Sequence, residues 1–210
     1  QMIMRGFFLF MLANNRRLTY FDYLDSTVGF GFATGQYSDG VVSVGERVHV
    51  GFVKGGTSGT YYINGVASGT VSSSRSFTMF DRYLGIGYNP LNGGAQFVGE
   101  LEYIRLFNVA LSANRMLALY RSSTLTPTLT PTVVPTLAPT NGAFYQLDGP
   151  ATFTSSTEVL SETISVSVSH QLTISMVITT STSGALVCLG RAPNLENNWF
   201  QFLISTDRKL

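Results

Sequence analysis

The sequence predicts an all-β fold, an antiparallel β-sandwich with a single short helix, interrupted by an extended spacer. Three observations carry this. Apolar or alternating stretches recur at intervals of roughly 8 to 12 residues between Gly, Asn and Ser turn signals. Gly 21, Phe 15 and Tyr 10 suit many short strands joined by tight turns. Finally, Pro127, Pro131, Pro135 and Pro139 recur every four residues, each followed by threonine. Proline fixes φ, removes a donor and pushes the preceding residue towards extended geometry, so neither helix nor central strand is expected there.

The elements follow in order. Phe7 to Leu12 and Leu18 to Leu24 form a hairpin about Asn14-Asn15. Val28 to Ala33 alternates glycine with large residues, as a strand lying under another backbone does. Val41 to Val44 and Arg47 to Lys54 are the next strands, the latter setting Val48, Val50 and Phe52 against His49, Gly51 and Val53. A break at Gly55 to Gly59 precedes Tyr61-Tyr62-Ile63, and Asn64-Gly65 is a strong hairpin signal before Val66 to Val71. A Ser-rich loop, 72 to 76, leads to Phe77, a strand at Tyr83 to Tyr88, a Gly-rich loop and a last strong strand at Phe97 to Phe107. Ser112 is the N-cap of the one helix, Ala113 to Tyr120, with Met116, Leu117 and Tyr120 on one face.

The stretch Leu125 to Asn141 is expected to be a polyproline II spacer, spanning about 50 Å at about 3.1 Å per residue. It separates a front part, 1–123, from a rear part, 142–210, with the linker at 124–141.

Composition narrows the function. Apolar residues make up 44% and charged ones 12%, with a net charge of +1. So few charges suit a surface made for contact with glycan, a neighbouring subunit or attached sugar. No basic cluster exceeds a pair such as Arg16-Arg17, so nucleic acid is not an expected partner. The single cysteine, Cys188, excludes a disulfide framework within the chain and is expected to be a buried, inert thiol. The apolar run Gly6 to Ala13 is too short to span a bilayer, and no signal peptide is evident. The opening at Gln1, running at once into strand-like sequence, is expected of a processed chain or a window on a longer one.

Gly45-Glu46-Arg47-Val48-His49-Val50-Gly51-Phe52, followed by Tyr61-Tyr62-Ile63-Asn64-Gly65, resembles the core of laminin G-like, or concanavalin A-like, jelly-roll domains. Leu84-Gly85-Ile86-Gly87 and the run Phe97 to Ser112 are similar to that family's closing motif, and Leu119-Tyr120 to its ending. Arg47 stands where the family often has Trp, and Arg115 where a capping Glu is common. In the rear part, Phe144 to Gly149 resembles the family's opening and Leu172 to Val177 an early strand, with Gly184 to Gly190 and Trp199 to Ile204 as the next strands. The resemblance thus implies a permuted order. The front part is the C-terminal portion of a jelly roll, and the rear part the N-terminal portion of a second one, completed by a neighbouring protomer or repeat.

An internal echo agrees. Residues 199–210 align without a gap on residues 7–18, four of twelve pairs being identical, at an offset of 192. Both stretches fall at the same place in the jelly roll. Phe7, Phe8, Phe10 and Leu12, with Trp199, Phe200, Phe202 and Ile204, are therefore the candidate inter-subunit strands. A half sandwich leaves open edges and an uncovered apolar face, which drives association.

Catalytic candidates are weak. Glu100 and Glu102 share a strand face, as a glycosidase pair does, but stand in a motif where the resemblance implies structural roles. His49 and His170 lie in different parts, with no Ser or Cys constellation near them, and are expected to be strand positions. No enzyme activity and no cofactor are expected. Many domains of this family hold calcium near the opening Asp-Gly; here a second acidic residue is missing, leaving Asp148 and Asp39 as the contributors such an ion would draw on. Tyr88 and Trp199, which would bind sugar if exposed, are expected to be core. Thr126, Thr128, Thr130, Thr132, Thr136 and Thr140 suit an O-glycosylated stalk. No Asn-x-Ser/Thr sequon is present.

These readings converge on an extracellular or cell-surface structural protein: laminin G-like beads joined by Pro-Thr rods, associating head to tail with copies of itself as separate protomers or tandem repeats, and carrying attached glycans. The alternative is a carbohydrate-binding, lectin-like adhesin module whose partner is extracellular carbohydrate. No membrane span is expected.

Overall fold

The computed structural model describes residues 6–24, 36–72, 78–79, 82–87, 97–124, 143–147, 151–153, 160–164, 168–169 and 171–190. The front part supplies β1 (Gly6–Leu12), β2 (Leu18–Leu24), β3 (Arg47–Gly55), β4 (Ser58–Ile63), β5 (Val66–Ser72), β6 (Thr78–Met79), β7 (Arg82–Ile86), β8 (Gly99–Phe107) and helix α1 (Ala113–Thr124). From the rear come β9 (Ala143–Leu147), β10 (Ala151–Phe153), β11 (Leu160–Ile164), β12 (Val168–Ser169), β13 (Gln171–Thr180) and β14 (Gly184–Gly190).

Two antiparallel sheets face each other. One has the order β11-β7-β14-β1-β2; the other runs β10-β8-β13-β3-β4-β5, with β9 also on the outer edge of β8. The short pair β6 and β12 stands apart. The expected all-β sandwich is therefore what forms.

Local chemistry fixes the hairpins. The β1-β2 turn closes with Leu12 opposite Leu18; the Arg17 amide donates to Asn15 Oδ1 and Arg16 adopts φ 60°. Asn64 and Gly65, at φ 51° and 74°, make the mirror-image turn that matches strand twist. Gly65 is required twice over, because a Cβ there would also lie 3.1 Å from Leu117 Cα on α1. Between β3 and β4 the turn is only Gly56-Thr57, since Gly55 already pairs with Ser58, so the break is tighter than the glycine run suggests.

Two expectations need correction. Val41 to Val44 is no strand: the Val42 amide donates to Arg16 O and the Gly45 amide to Thr180 O, and only Val42 is buried. This segment crosses between the sheets, and preceding residues tie their edges together. The Ser38 amide bonds Leu18 O beside β2, while the Asp39 amide bonds Ser68 O on β5. The helix runs on to Thr124; of the expected face Met116 is buried and Leu117 and Tyr120 are half-buried beside Gly65, and Leu119 and Ser123 are buried as well. Ser122, Ser123 and Thr124 hydroxyls each donate to the carbonyl three residues back, satisfying groups of the final turn. Of the Ser-rich loop Ser72 ends β5, and of the linker Thr124 ends α1; residues 28–33, 73–77, 125–141 and 199–204 lie outside the described residues.

The core between the sheets draws on both parts. Phe52 stacks with Tyr20 at 4.1 Å and meets Tyr61 at 5.1 Å and Phe10 at 6.2 Å. The Tyr61 hydroxyl accepts from the Tyr20 amide and donates to Gln36 O, joining one sheet to the other. Leu172, Ile174, Met176, Ile178, Leu186 and Val187 complete the same cluster from the rear. A second cluster, Tyr62, Phe107, Met116 and Leu119, seats α1 on the outer face of the larger sheet.

Candidate functional site

The feature with the clearest functional meaning is the seam between the two parts. β13 does not add to an edge. It lies between β3 and β8, pairing from Gln171↔Gly55 to Thr179↔Arg47 on one side and from Thr173↔Phe107 to Thr180↔Gly99 on the other. Its residues 172 to 178 are all buried. In the facing sheet β14 likewise separates β1 from β7. Without the rear part, each sheet of the front part has a gap in its middle, and its backbone donors and acceptors there lose their partners. The β13 side chains anchor both faces. Leu172, Ile174, Met176 and Ile178 enter the core, while on the outer face Thr173 Oγ1 accepts from the Leu111 amide at 3.0 Å and donates to Val109 O at 2.7 Å.

Of the expected inter-subunit residues, Phe7, Phe8, Phe10 and Leu12 fall on β1, with Phe10 and Leu12 buried. Phe8 pairs with Leu189 and Phe10 with Val187, so this strand meets the rear part directly. Trp199, Phe200, Phe202 and Ile204 lie outside the described residues, as do Thr126, Thr128, Thr130, Thr132, Thr136 and Thr140 and the linker prolines Pro127, Pro131, Pro135 and Pro139. Cys188 sits on β14 opposite Leu9 and Gly85.

A cluster under α1 was not legible beforehand. His49 Nε2 lies 2.9 Å from Ser175 Oγ, across the seam, where no Ser partner was expected. Both residues are buried, to 3% and 2% exposure, and the Tyr120 ring covers the imidazole at 5.8 Å. Burial, and secondly the Arg105 guanidinium, lowers the His49 pKa to about 4. So weak a base, closed off from solvent, does not activate a hydroxyl; the pair joins β3 to β13. Its members are separated by 126 positions, which hides it from sequence reasoning.

Arg47 does three things at once. Its Nε bonds Glu102 Oε1 at 2.5 Å, Nη2 donates to Ser123 O at the end of α1, and the guanidinium lies 5.7 Å from the Tyr103 ring. Tyr103 is the extra residue of a bulge, since Ser175 pairs with Arg105 but Val177 with Glu102, and it adopts φ 51°. An arginine here thus clamps the bulge to the helix. It also engages Glu102, while Glu100 stands in the ladder opposite Thr152 and Thr179. Asp39 is exposed beside β5; Asp148, His170 and Tyr88 lie outside the described residues. Among the described residues no three His, Cys, Asp or Glu side chains gather into a metal-binding group. No described helix is long and apolar enough to cross a membrane.

A protein-family model described as the concanavalin A-like lectin/glucanases superfamily, of laminin G type, matches residues 4–115, just over half of the chain. No curated protein and no solved structure matches it. Domains of this kind are generally non-catalytic and typically extracellular. With the sandwich topology, the match makes the chain a member of the concanavalin A-like lectin/glucanase superfamily, with a laminin G-like jelly roll.

Proposed function

We propose that the chain is a structural subunit of an extracellular filament or surface fibre, in which the rear part of one copy completes the front part of the next. The observation that carries this is the central place of β13. A strand whose residues 172 to 178 are all buried between two strands of the other part is an obligatory component of the bead, whichever molecule supplies it.

The linker sequence is long enough to permit supply from a neighbour. β9 starts beside Phe107, and α1 starts a few residues after Phe107 and is 12 residues long. Along that path the ends of the linker are at most about 40 Å apart, counting about 1.5 Å per helical residue and about 3.4 Å per extended one. The linker sequence, at about 3.1 Å per residue, reaches about 50 Å when extended. Head-to-tail completion is a heterologous contact, and one that does not close on itself grows a fibre.

In this reading the Pro-Thr rods carry O-linked sugars on Thr126, Thr128, Thr130, Thr132, Thr136 and Thr140, and the low charge of the beads suits a coated, packed assembly. No enzyme activity or cofactor belongs to it. Electron microscopy of protein from its native source tests the filament, with beads joined by thin rods as the expected image. Dispersed single beads would overturn it. Intact mass tests the coat, which adds to the 22.8 kDa of the bare chain.

A further inference from the structure

We propose that the bead is a tension-bearing joint: a pull along the fibre enters its larger sheet at opposite ends and runs parallel to the strands, so the seam resists in shear. The inference rests on the completion reading, because only there do the linkers of two chains pull on one bead.

The points of attachment are α1, which ends the front part at Thr124, and β9, which opens the rear part at Ala143. β3 measures the distance between them. Ala143 pairs with Phe107, Phe107 with Thr173, and Thr173 with Val53 near the end of β3. α1 runs the opposite way along the same strand. Met116 lies against Gly51, the Tyr120 ring covers His49, and Ser123 O accepts from Arg47 Nη2 at the start of β3. From Val53 to Arg47 is about 20 Å at about 3.3 Å per residue. The two linkers therefore meet the sheet at opposite ends of its strands.

That placement sets how load is shared. β9 and β10 follow one another along the edge of β8, from Ala143↔Phe107 to Phe153↔Gly99, and so line its whole length. β13 lies on the other side of β8 and pairs with β3 as well. Antiparallel hydrogen bonds lie perpendicular to the strands, so a lengthwise pull strains a whole ladder at once, whereas a crosswise pull opens one pair after another. At the front end α1 is drawn along its own axis. Arg47, on β3, bonds Ser123 O at 2.9 Å and Glu102 on β8, and passes the load from the last turn to both strands.

Tethers in the full chain test this. With Cys188→Ser as background, one protein carries Ala143→Cys and Thr124→Cys, so its tethers lie at opposite ends of the sheet. A second carries Ala143→Cys and Asn108→Cys, with both tethers at the same end, Asn108 being exposed next to Phe107. Each is pulled through DNA handles in optical tweezers, where a chain without neighbours completes its own bead. The linker, reaching about 50 Å, is longer than the span being pulled. The first protein should rupture at a several-fold higher force than the second, and Arg47→Ala should lower the first force and leave the second unchanged. Equal forces in the two geometries, or no rupture in either, would overturn the inference. Electron microscopy of the same proteins separates the two ideas. Filaments with equal forces refute the joint alone, and unequal forces without filaments refute the filament reading alone.

Discussion

Protonating His49 should unlock the outer face of the larger sheet. In the folded chain the imidazole is buried between β3, β13 and α1, bonded to Ser175 and facing Arg105, with Arg47, Glu102, Tyr62 and Tyr120 on the elements around it. Burial first, and Arg105 second, lowers its pKa from 6.5 to about 4. The unfolded chain then binds the proton more readily than the folded one, so stability rises with pH between about 4 and 6.5 and falls as pH drops through that window. At pH 4.5 the linked loss, relative to pH 7, is roughly 2 kcal/mol at about 1.36 kcal/mol per pKa unit. For a chain of this size that is a fall in Tm of several degrees. Carboxylates titrate nearby, so the informative quantity is a difference. His49→Gln, which keeps an amide to reach Ser175, should lose roughly 2 kcal/mol less than the parent between pH 7 and 4.5 in urea unfolding. Identical pH slopes for the two proteins would show that His49 carries no such penalty.

Other substitutions test the packing. Met176→Ala hollows the centre of the core at a fully buried position and should cost about 2–5 kcal/mol, read as a lower urea midpoint. Gly51→Ala places a methyl 2.4 Å from Met116 Cε and 2.9 Å from Ile174 O; it should cost about 1–3 kcal/mol, and Met116→Ala should relieve only the side-chain part of the clash, because the carbonyl belongs to the central strand. Arg47→Ala removes the Glu102 pair, the Tyr103 contact and the bond to Ser123 O together. As the arginine side chain is 42% exposed, the expected cost is about 1 kcal/mol, with earlier amide exchange in the last turn of α1 as its local signature.

The strands were legible where sequence period and turn chemistry agreed. Arg47 to Gly55 alternates between core and helix-facing residues as its sequence implies, and Asn64-Gly65 turns where only positive φ serves. Val41 to Val44 misled because apolar residues need not be paired: the Val42 amide bonds Arg16 O in the β1-β2 turn and the amide of the next glycine, Gly45, bonds Thr180 O on β13, a tertiary fact with no local sign. The burial of Leu119 and Ser123 beside Met116 had no local sign because the partner surface, Tyr62 and Phe107 around Gly51, is built by strands distant in sequence. The same distance hid the contact of His49 with Ser175 and the reach of Arg47 to Ser123.

Which molecule supplies β13 decides between a filament and a chain closed on itself. Gly55 and Gln171 are register partners across the seam, Gln171 is exposed, and a Cβ at Gly55 meets only Ala110 Cβ at 3.7 Å, so cysteines fit at both positions. One full-length chain carrying Gly55→Cys and another carrying Gln171→Cys, each with Cys188→Ser, are mixed while unfolded, refolded together and oxidised. Disulfides joining the two different chains are the predicted result. Chains that remain separate, while a single chain bearing both cysteines closes on itself completely, would contradict it.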